Sequence, residues 1–227
     1  MNTLVQDVVD ECSPYTMLPH ARLIETIGFM LDLAANQDFP AGAVVECGTW
    51  KGGMALAATR VFGADRRYGF YDSFEGLPPP SPRDGEDSHW WAAHPDHPRH
   101  FDNCRADVEA MELLMRDARP GYRISITKGW FEKTFWPEAF APVAWAHLDC
   151  DWYDSVYLCL ERLWPHMAVG GVIVVDDYYD WEGCRRAVHD FLSHNSAREA
   201  ITRIGSHGGV AIRRLGRWSL NESPHLN

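Results

Sequence analysis

Short apolar runs alternate with amphipathic stretches along most of this chain. Residues 43–47, 143–148 and 172–175 are mostly apolar runs, as expected of strands buried on both faces. Residues 67–71 read as a further strand ending at Asp72, and Tyr122-Arg-Ile-Ser-Ile-Thr127 alternates as a strand does. Between them lie segments with helical spacing. Residues 19–36 place Leu23, Ile24, Ile27, Met30, Leu31 and Ala34 on one face, and Pro19 suits a first helical turn. Residues 54–62, 101–117, 154–167 and 182–194 also read as helices, and 201–204 with 210–213 as a terminal hairpin across a glycine-rich turn. Strand and helix alternate, so the expected fold is α/β, a doubly wound, mostly parallel sheet with helices on both faces.

One segment breaks the alternation. Residues 79–100 hold Pro79, Pro80, Pro82, Pro95 and Pro98, and prolines at that density argue against any regular element there. A loop this long inside a domain is usually a lid or binding loop. The expected layout is a helical cap over 1–40, one domain over 41–215 with a lid at 79–100, and a polar tail over 216–227.

A length of 227 residues suits one such domain, and a formal charge of −11 argues against nucleic-acid or anionic membrane partners. No apolar run is long enough to span a bilayer, and the first residues lack the basic and apolar segments of a signal peptide. Six scattered cysteines without a Cys-x-x-Cys pair read as free thiols, so the expected location is cytoplasmic.

The candidate chemistry sits at strand ends. Asp149 and Asp151 follow one apolar run, and Asp176 and Asp177 follow another. In open α/β sheets ligands bind at that edge. Four carboxylates there repel one another unless a cation, a proton or a ligand relieves them. If the strand continues through 151, Asp149 and Asp151 share a face. An all-oxygen set suits a hard divalent cation better than zinc. The competing explanation is helix capping, with Asp154 or Ser155 the candidates for the helix that follows.

A second cluster, Glu46-Cys-Gly48-Thr-Trp-Lys-Gly52-Gly53, joins the first strand to a helix. Glycines there let backbone approach a ligand closely, and an acid ending the next strand, Asp72, is placed to accept ribose hydroxyls. The spacing is not the dinucleotide fingerprint G-x-G-x-x-G. It resembles motif I of class I S-adenosylmethionine-dependent methyltransferases. On that resemblance Glu46, Gly48 and Thr49 hold the methionine end, Asp72 and Ser73 the ribose, and Gly129 and Trp130 border the adenine.

More specific strings follow: Tyr71-Asp-Ser-Phe-Glu-Gly-Leu-Pro78, Lys128-Gly-Trp-Phe131, Leu148-Asp-Cys-Asp-Trp-Tyr-Asp-Ser155 and Gly170-Gly-Val-Ile-Val-Val-Asp-Asp-Tyr178. With Val45-Glu-Cys-Gly-Thr-Trp-Lys-Gly-Gly53 they make the chain similar to the macrocin O-methyltransferase family over about residues 43–195. The resemblance implies a Rossmann-like, seven-stranded sheet with an antiparallel C-terminal hairpin strand. It implies S-adenosylmethionine and Mg²⁺ (or Mn²⁺) as cofactors and a small-molecule acceptor, a sugar hydroxyl. It also implies a homo-oligomer. Asp149, Asp176 and Asp177 become metal ligands and Asp151 the general base. Cys150 stands where the family usually has glycine.

Trp90, Trp91, Trp152, Tyr153, Tyr178 and Tyr179 are candidates for stacking on the acceptor, with core packing the alternative for Trp152 and Tyr153. Trp136 and Trp181 read as packing residues. His94, His97 and His100 read as solvated loop histidines rather than a zinc site, and His189 as a surface or core residue. Rival functions are a catechol- or phenol-type O-methyltransferase, a nicotinamide-dependent oxidoreductase and a non-catalytic binding domain.

Overall fold

A computed structural model describes residues 3–216 of the chain. The expected polar tail therefore lies, from 217 onward, outside the described residues. Seven strands form one sheet in the order β3-β2-β1-β4-β5-β7-β6. They are β1 Ala43–Cys47, β2 Arg67–Asp72, β3 Arg123–Lys128, β4 Val143–Leu148, β5 Met167–Val175, β6 Ile201–Arg203 and β7 Val210–Arg213. The first five run parallel, and β7 pairs antiparallel with both β5 and β6. Every residue of β1 and β4 is buried, Glu46 and His147 included, as mostly apolar runs in central strands lead one to expect. β3, which alternates, is the half-exposed edge.

Among the described residues, helices of eight or more residues are α1 Thr3–Cys12, α2 His20–Ala35, α3 Gly53–Phe62, α4 Glu86–Ala93, α5 Val108–Ala118, α6 Tyr153–Leu163 and α7 Glu182–His194. They cover both faces. Val44, Tyr68, Phe70, Trp145, Val172 and Val174 pack under α1, α2, α3 and α5. Their strand neighbours Val45, Tyr71, Ala146, Leu148, Ile173 and Val175 pack under α6 and α7. The two cores are the period-two alternation of the strands made physical.

Three sequence expectations need correction. The 79–100 segment is not irregular throughout. Its prolines stop at Pro82 and resume at Pro95, and the proline-free stretch between forms α4 with Glu86 and Asp87 in its first turn. The helix expected over 101–117 is two pieces. Asp107 caps α5, its carboxylate accepting from the Glu109 and Ala110 amides. Residues 101–104 instead make a single left-handed turn, with φ between 49° and 58°. The helix expected to reach 167 stops at Leu163 because Pro165 follows, and β5 begins at Met167.

The N-terminal helices are tied to the opposite end of the chain. Glu25 on α2 accepts from the backbone amides of Ser206, His207 and Gly208 in the β6–β7 turn, at 3.0, 2.6 and 2.8 Å. Burial opposes ionisation, but these amides hold the carboxyl down at about 2, against an ordinary 4.5. The folded value is depressed, so this anchor stabilises fully above pH 4.5 and weakens as pH falls toward 2. In urea titrations Glu25→Gln is expected to be less stable than wild type at pH 7, with the gap narrowing below pH 4.5. A gap independent of pH would refute the assignment.

Candidate active site

β1 lies between β2 and β4, so the chain reverses direction across the sheet at β1 and β4, and a crevice opens at their carboxyl ends. After Cys47 the backbone turns through Gly48 and Gly52 with φ of 86° and 91°. Asp72, at the end of β2, holds this loop: Oδ2 accepts from the Thr49 and Trp50 amides at 2.8 Å each, and Oδ1 from the Phe74 amide at 2.6 Å. The predicted ribose acceptor thus also braces the glycine loop. Gly48 sits hard against the next strand's exit, and a Cβ there would lie 1.7 Å from the Asp149 carbonyl oxygen.

Asp149 and Asp151 come together, but not by strand alternation. β4 ends at Leu148, and Asp151 adopts a left-handed backbone with φ of 57°. That turn, rather than a continuing strand, brings its carboxylate to Asp149. Oxygens of Asp149, Asp151 and Asp177 lie within 4.8 Å of one another. β5 ends at Val175, and the following 3₁₀ turn, Asp176–Tyr179, sends the two adjacent acids apart. Asp177 joins the cluster. Asp176 Oδ2 instead accepts from Arg22 of α2 at 2.8 Å, and Arg22 also pairs with Asp180 at 2.6 Å.

Behind Asp176 lies His147 on β4, fully buried. Its Nδ1 is 3.1 Å from Glu46 Oε1 and its Nε2 3.6 Å from Asp176 Oδ1. Burial would lower the imidazole's pKa, but Asp176 and Glu46 hold it up at about 10. A chain of ionisable groups therefore runs from Glu46 beside the glycine loop through His147 and Asp176 to Arg22. Burial alone would raise Asp176, yet His147 and Arg22 hold it below the usual carboxylate range. His147 gives Asp149, and Arg22 gives Asp177, only minor relief. Burial, then the neighbouring carboxylates, pushes both well up. Burial also raises Asp151, to about 7, against the pull of the Trp181 indole N–H.

One cavity of about 580 Å³ spans these features. Glu46, Gly48 and Thr49 line it from the first loop, Asp72 and Ser73 from the end of β2, and Gly129 and Trp130 from beyond β3. Asp149, Asp151 and Asp177 line it too, and Asp176 does not. The 79–100 segment forms one wall through Trp90, Trp91, His97 and Arg99. It is pinned by buried Asp84, whose Oδ2 accepts from the Ser81 amide and hydroxyl and whose Oδ1 accepts from the Tyr153 amide at 2.6 Å. The cap of α6 therefore comes from 69 residues upstream rather than from Asp154 or Ser155.

The aromatic residues divide. Trp152 and Tyr153 are buried, whereas Trp90 and Trp136 are both exposed. Trp181 does more than pack, because its Nε1 donates to Asp151 Oδ1 at 2.8 Å. His100 is not solvated but buried and stacked on Trp91 at 4.3 Å, whereas His94 stacks on Trp90. His189, exposed, meets the Tyr178 hydroxyl at 2.7 Å. Sequence reasoning did not single out Arg22, Asp84 or His147. A histidine inside an apolar strand two residues before Asp149 was a usable signal, whereas nothing local marks Arg22 or Asp84.

The donor set fits a hard divalent cation. It is all oxygen, and Asp177 Oδ2 and Asp176 Oδ1 are buried without any hydrogen-bond partner. No described helix is long and apolar enough to cross a membrane.

Comparison with known proteins agrees with this geometry. The sequence profile of the family described as Macrocin-O-methyltransferase (TylF) matches residues 6–214. The 8-demethyl-8-(2,3-dimethoxy-alpha-L-rhamnosyl)-tetracenomycin-C 4'-O-methyltransferase of Streptomyces olivaceus is 32% identical over 201 residues, covering 86% of this chain and 74% of that protein. The mycinamicin III 3''-O-methyltransferase of Micromonospora griseorubida is 28% identical over 184 residues, covering 77% and 70%. The solved structure of the O-methyltransferase NovP superimposes with a TM-score of 0.71 at 24% identity, over 85% of this chain and 81% of that one. The fold is that of class I methyltransferases, and the chain belongs to the macrocin O-methyltransferase family as an S-adenosylmethionine-dependent O-methyltransferase.

Proposed function

We propose that this enzyme methylates a hydroxyl on the sugar of a glycosylated natural product, with a divalent cation, Mg²⁺ or Mn²⁺, in the acidic cluster. The observation that carries it is one cavity lined both by the glycine loop and by three clustered carboxylates, Asp177 buried and Asp149 and Asp151 half-buried. The relatives named above act on rhamnosyl tetracenomycin and on mycinamicin III, and a third on demethyldecarbamoylnovobiocin.

S-adenosylmethionine, when bound, supplies an electrophilic methyl group on its sulfonium. Glu46, Gly48 and Thr49 would hold its methionine end, Asp72 and Ser73 the ribose, with Gly129 and Trp130 at the adenine. Asp149, Asp177 and Oδ1 of Asp176 would hold the cation. The cation supplies Lewis acidity that lowers the pKa of an acceptor hydroxyl. Asp151 is the general base. Its Oδ1 is occupied by Trp181, which leaves Oδ2 to take the proton of the acceptor hydroxyl. One contrast supports this division. Asp176 is kept ionised by Arg22 and His147, whereas Asp151, raised to about 7, is poised to exchange a proton near neutrality.

A second division has an observation in its favour. Asp151, not Asp176, lies with Asp149 and Asp177 within 4.8 Å, so Asp151 is the alternative third ligand. Metal titrations of Asp151→Asn and Asp176→Asn separate the two, because only loss of a true ligand weakens affinity strongly.

The function is tested with labelled S-adenosylmethionine and three acceptors: the rhamnosyl tetracenomycin, mycinamicin III and demethyldecarbamoylnovobiocin. Methyl transfer to a sugar hydroxyl is expected, lost in EDTA and restored by excess Mg²⁺ or Mn²⁺. Undiminished turnover in chelator would remove the cation from the mechanism. Transfer confined to catechols would replace the sugar acceptor with a phenolic one.

A further inference from the structure

Trp181 stands between the Asp176–Tyr179 turn and α7, and its ring lies within a group of three indoles. It meets Trp152 edge-on at 5.1 Å and Trp91 at 6.3 Å, and Trp91 meets Trp152 at 5.9 Å. Each indole N–H has its own acceptor. Trp152 donates to the Pro78 carbonyl at 2.8 Å, Trp91 to the Arg99 carbonyl at 3.2 Å, and Trp181 to Asp151 Oδ1 at 2.8 Å. The first two fix the two ends of the 79–100 segment, and the third fixes an acid. Among the described residues, Trp181 provides the one hydrogen bond to the Asp151 side chain. Asp151 needs such a partner, since a left-handed backbone at a non-glycine residue persists only when its surroundings determine it.

We propose that Trp181 is a positioning residue for Asp151, its indole N–H fixing Oδ1 so that Oδ2 faces the acceptor, with Trp91 and Trp152 holding the ring in place. This rests on the assignment of Asp151 as general base. It adds that the seating of α4, which carries Trp91, and the aim of the base are linked through the indoles. The pairing is indirect in sequence, 30 residues apart, and depends on the turn after β5.

Two readouts test it. The first needs no acceptor. In ¹⁵N-labelled protein the Trp181 indole resonance is assigned by its loss in Trp181→Phe or, if that variant does not fold, by through-bond correlation. It is expected downfield and protected from exchange, moving upfield and losing protection in Asp151→Ala. A resonance unmoved by Asp151→Ala overturns the proposal.

The second uses whichever acceptor of the panel above is methylated. Trp181→Phe keeps an aromatic ring, smaller than the indole, and deletes the N–H. It is expected to lower kcat about tenfold to a hundredfold, as losing a supporting hydrogen bond commonly does. The KM for S-adenosylmethionine and the Kd for S-adenosylhomocysteine should stay at wild-type values. In the Asp151→Ala background the same change should cost less than about twofold, because it acts only through the acid. An equal cost in both backgrounds, or a raised acceptor KM at unchanged kcat, overturns the proposal and makes Trp181 a packing or stacking residue. If Asp151→Ala itself retains full turnover, the general-base assignment fails, while the resonance still decides whether Trp181 holds Asp151.

Discussion

Gly48→Ala is expected to weaken cofactor binding and the acidic cluster together. A Cβ at this position would lie 1.7 Å from the Asp149 carbonyl oxygen, and the backbone at φ of 86° is unfavourable for alanine. The obstacle is backbone rather than a flexible side chain, so the glycine loop or the exit of β4 must move. A displacement of about 1 Å at a reacting centre can cost roughly a hundredfold. Calorimetry with S-adenosylhomocysteine and with Mg²⁺ should show both affinities falling by about that factor or more. Gly63→Ala is the control. It shares a positive φ of 77° but has nothing within 4 Å of its would-be Cβ, so stability should fall modestly while binding persists. Wild-type affinity for S-adenosylhomocysteine in Gly48→Ala would refute the close approach of β1 and β4 on which the site depends.

Asp151→Asn is expected to lower kcat by roughly 10²–10⁴-fold, the usual worth of a positioned base. Asparagine still accepts from the Trp181 indole but takes no proton, so the fold and cofactor affinity should survive. The pH profile gives a second check. Burial raises Asp151 to about 7, and a base must be deprotonated to act, so kcat should rise with pH on a limb near or below 7. A bound divalent cation, being positive, moves that limb to lower pH. The limb should vanish in Asp151→Asn. Unimpaired turnover of that variant, or an unchanged limb, would assign proton removal elsewhere.

Local strings announced much of this site. The glycine turn after β1, the acid ending β2 and the paired aspartates after β4 and β5 are each written within a few residues of one another. Their positions follow from where an apolar strand must end. The same locality explains the errors. Prolines at both ends of 79–100 obscured the proline-free stretch that forms α4. Strand alternation was the wrong reason for bringing Asp149 and Asp151 together, because β4 stops first and a left-handed residue does the turning.

The sequence by itself determined that this is a mostly parallel α/β sheet with a glycine loop and four acids at its carboxyl edge. Backbone preference and the burial of apolar runs act over short distances, and they suffice for that. Which acid does what was decided only in three dimensions. Arg22, 154 residues away, engages Oδ2 of Asp176, and Trp181 engages Oδ1 of Asp151. Adjacent carboxylates are chemically identical until burial and a specific partner distinguish them. Those partners come from distant segments that only the folded sheet brings to one edge.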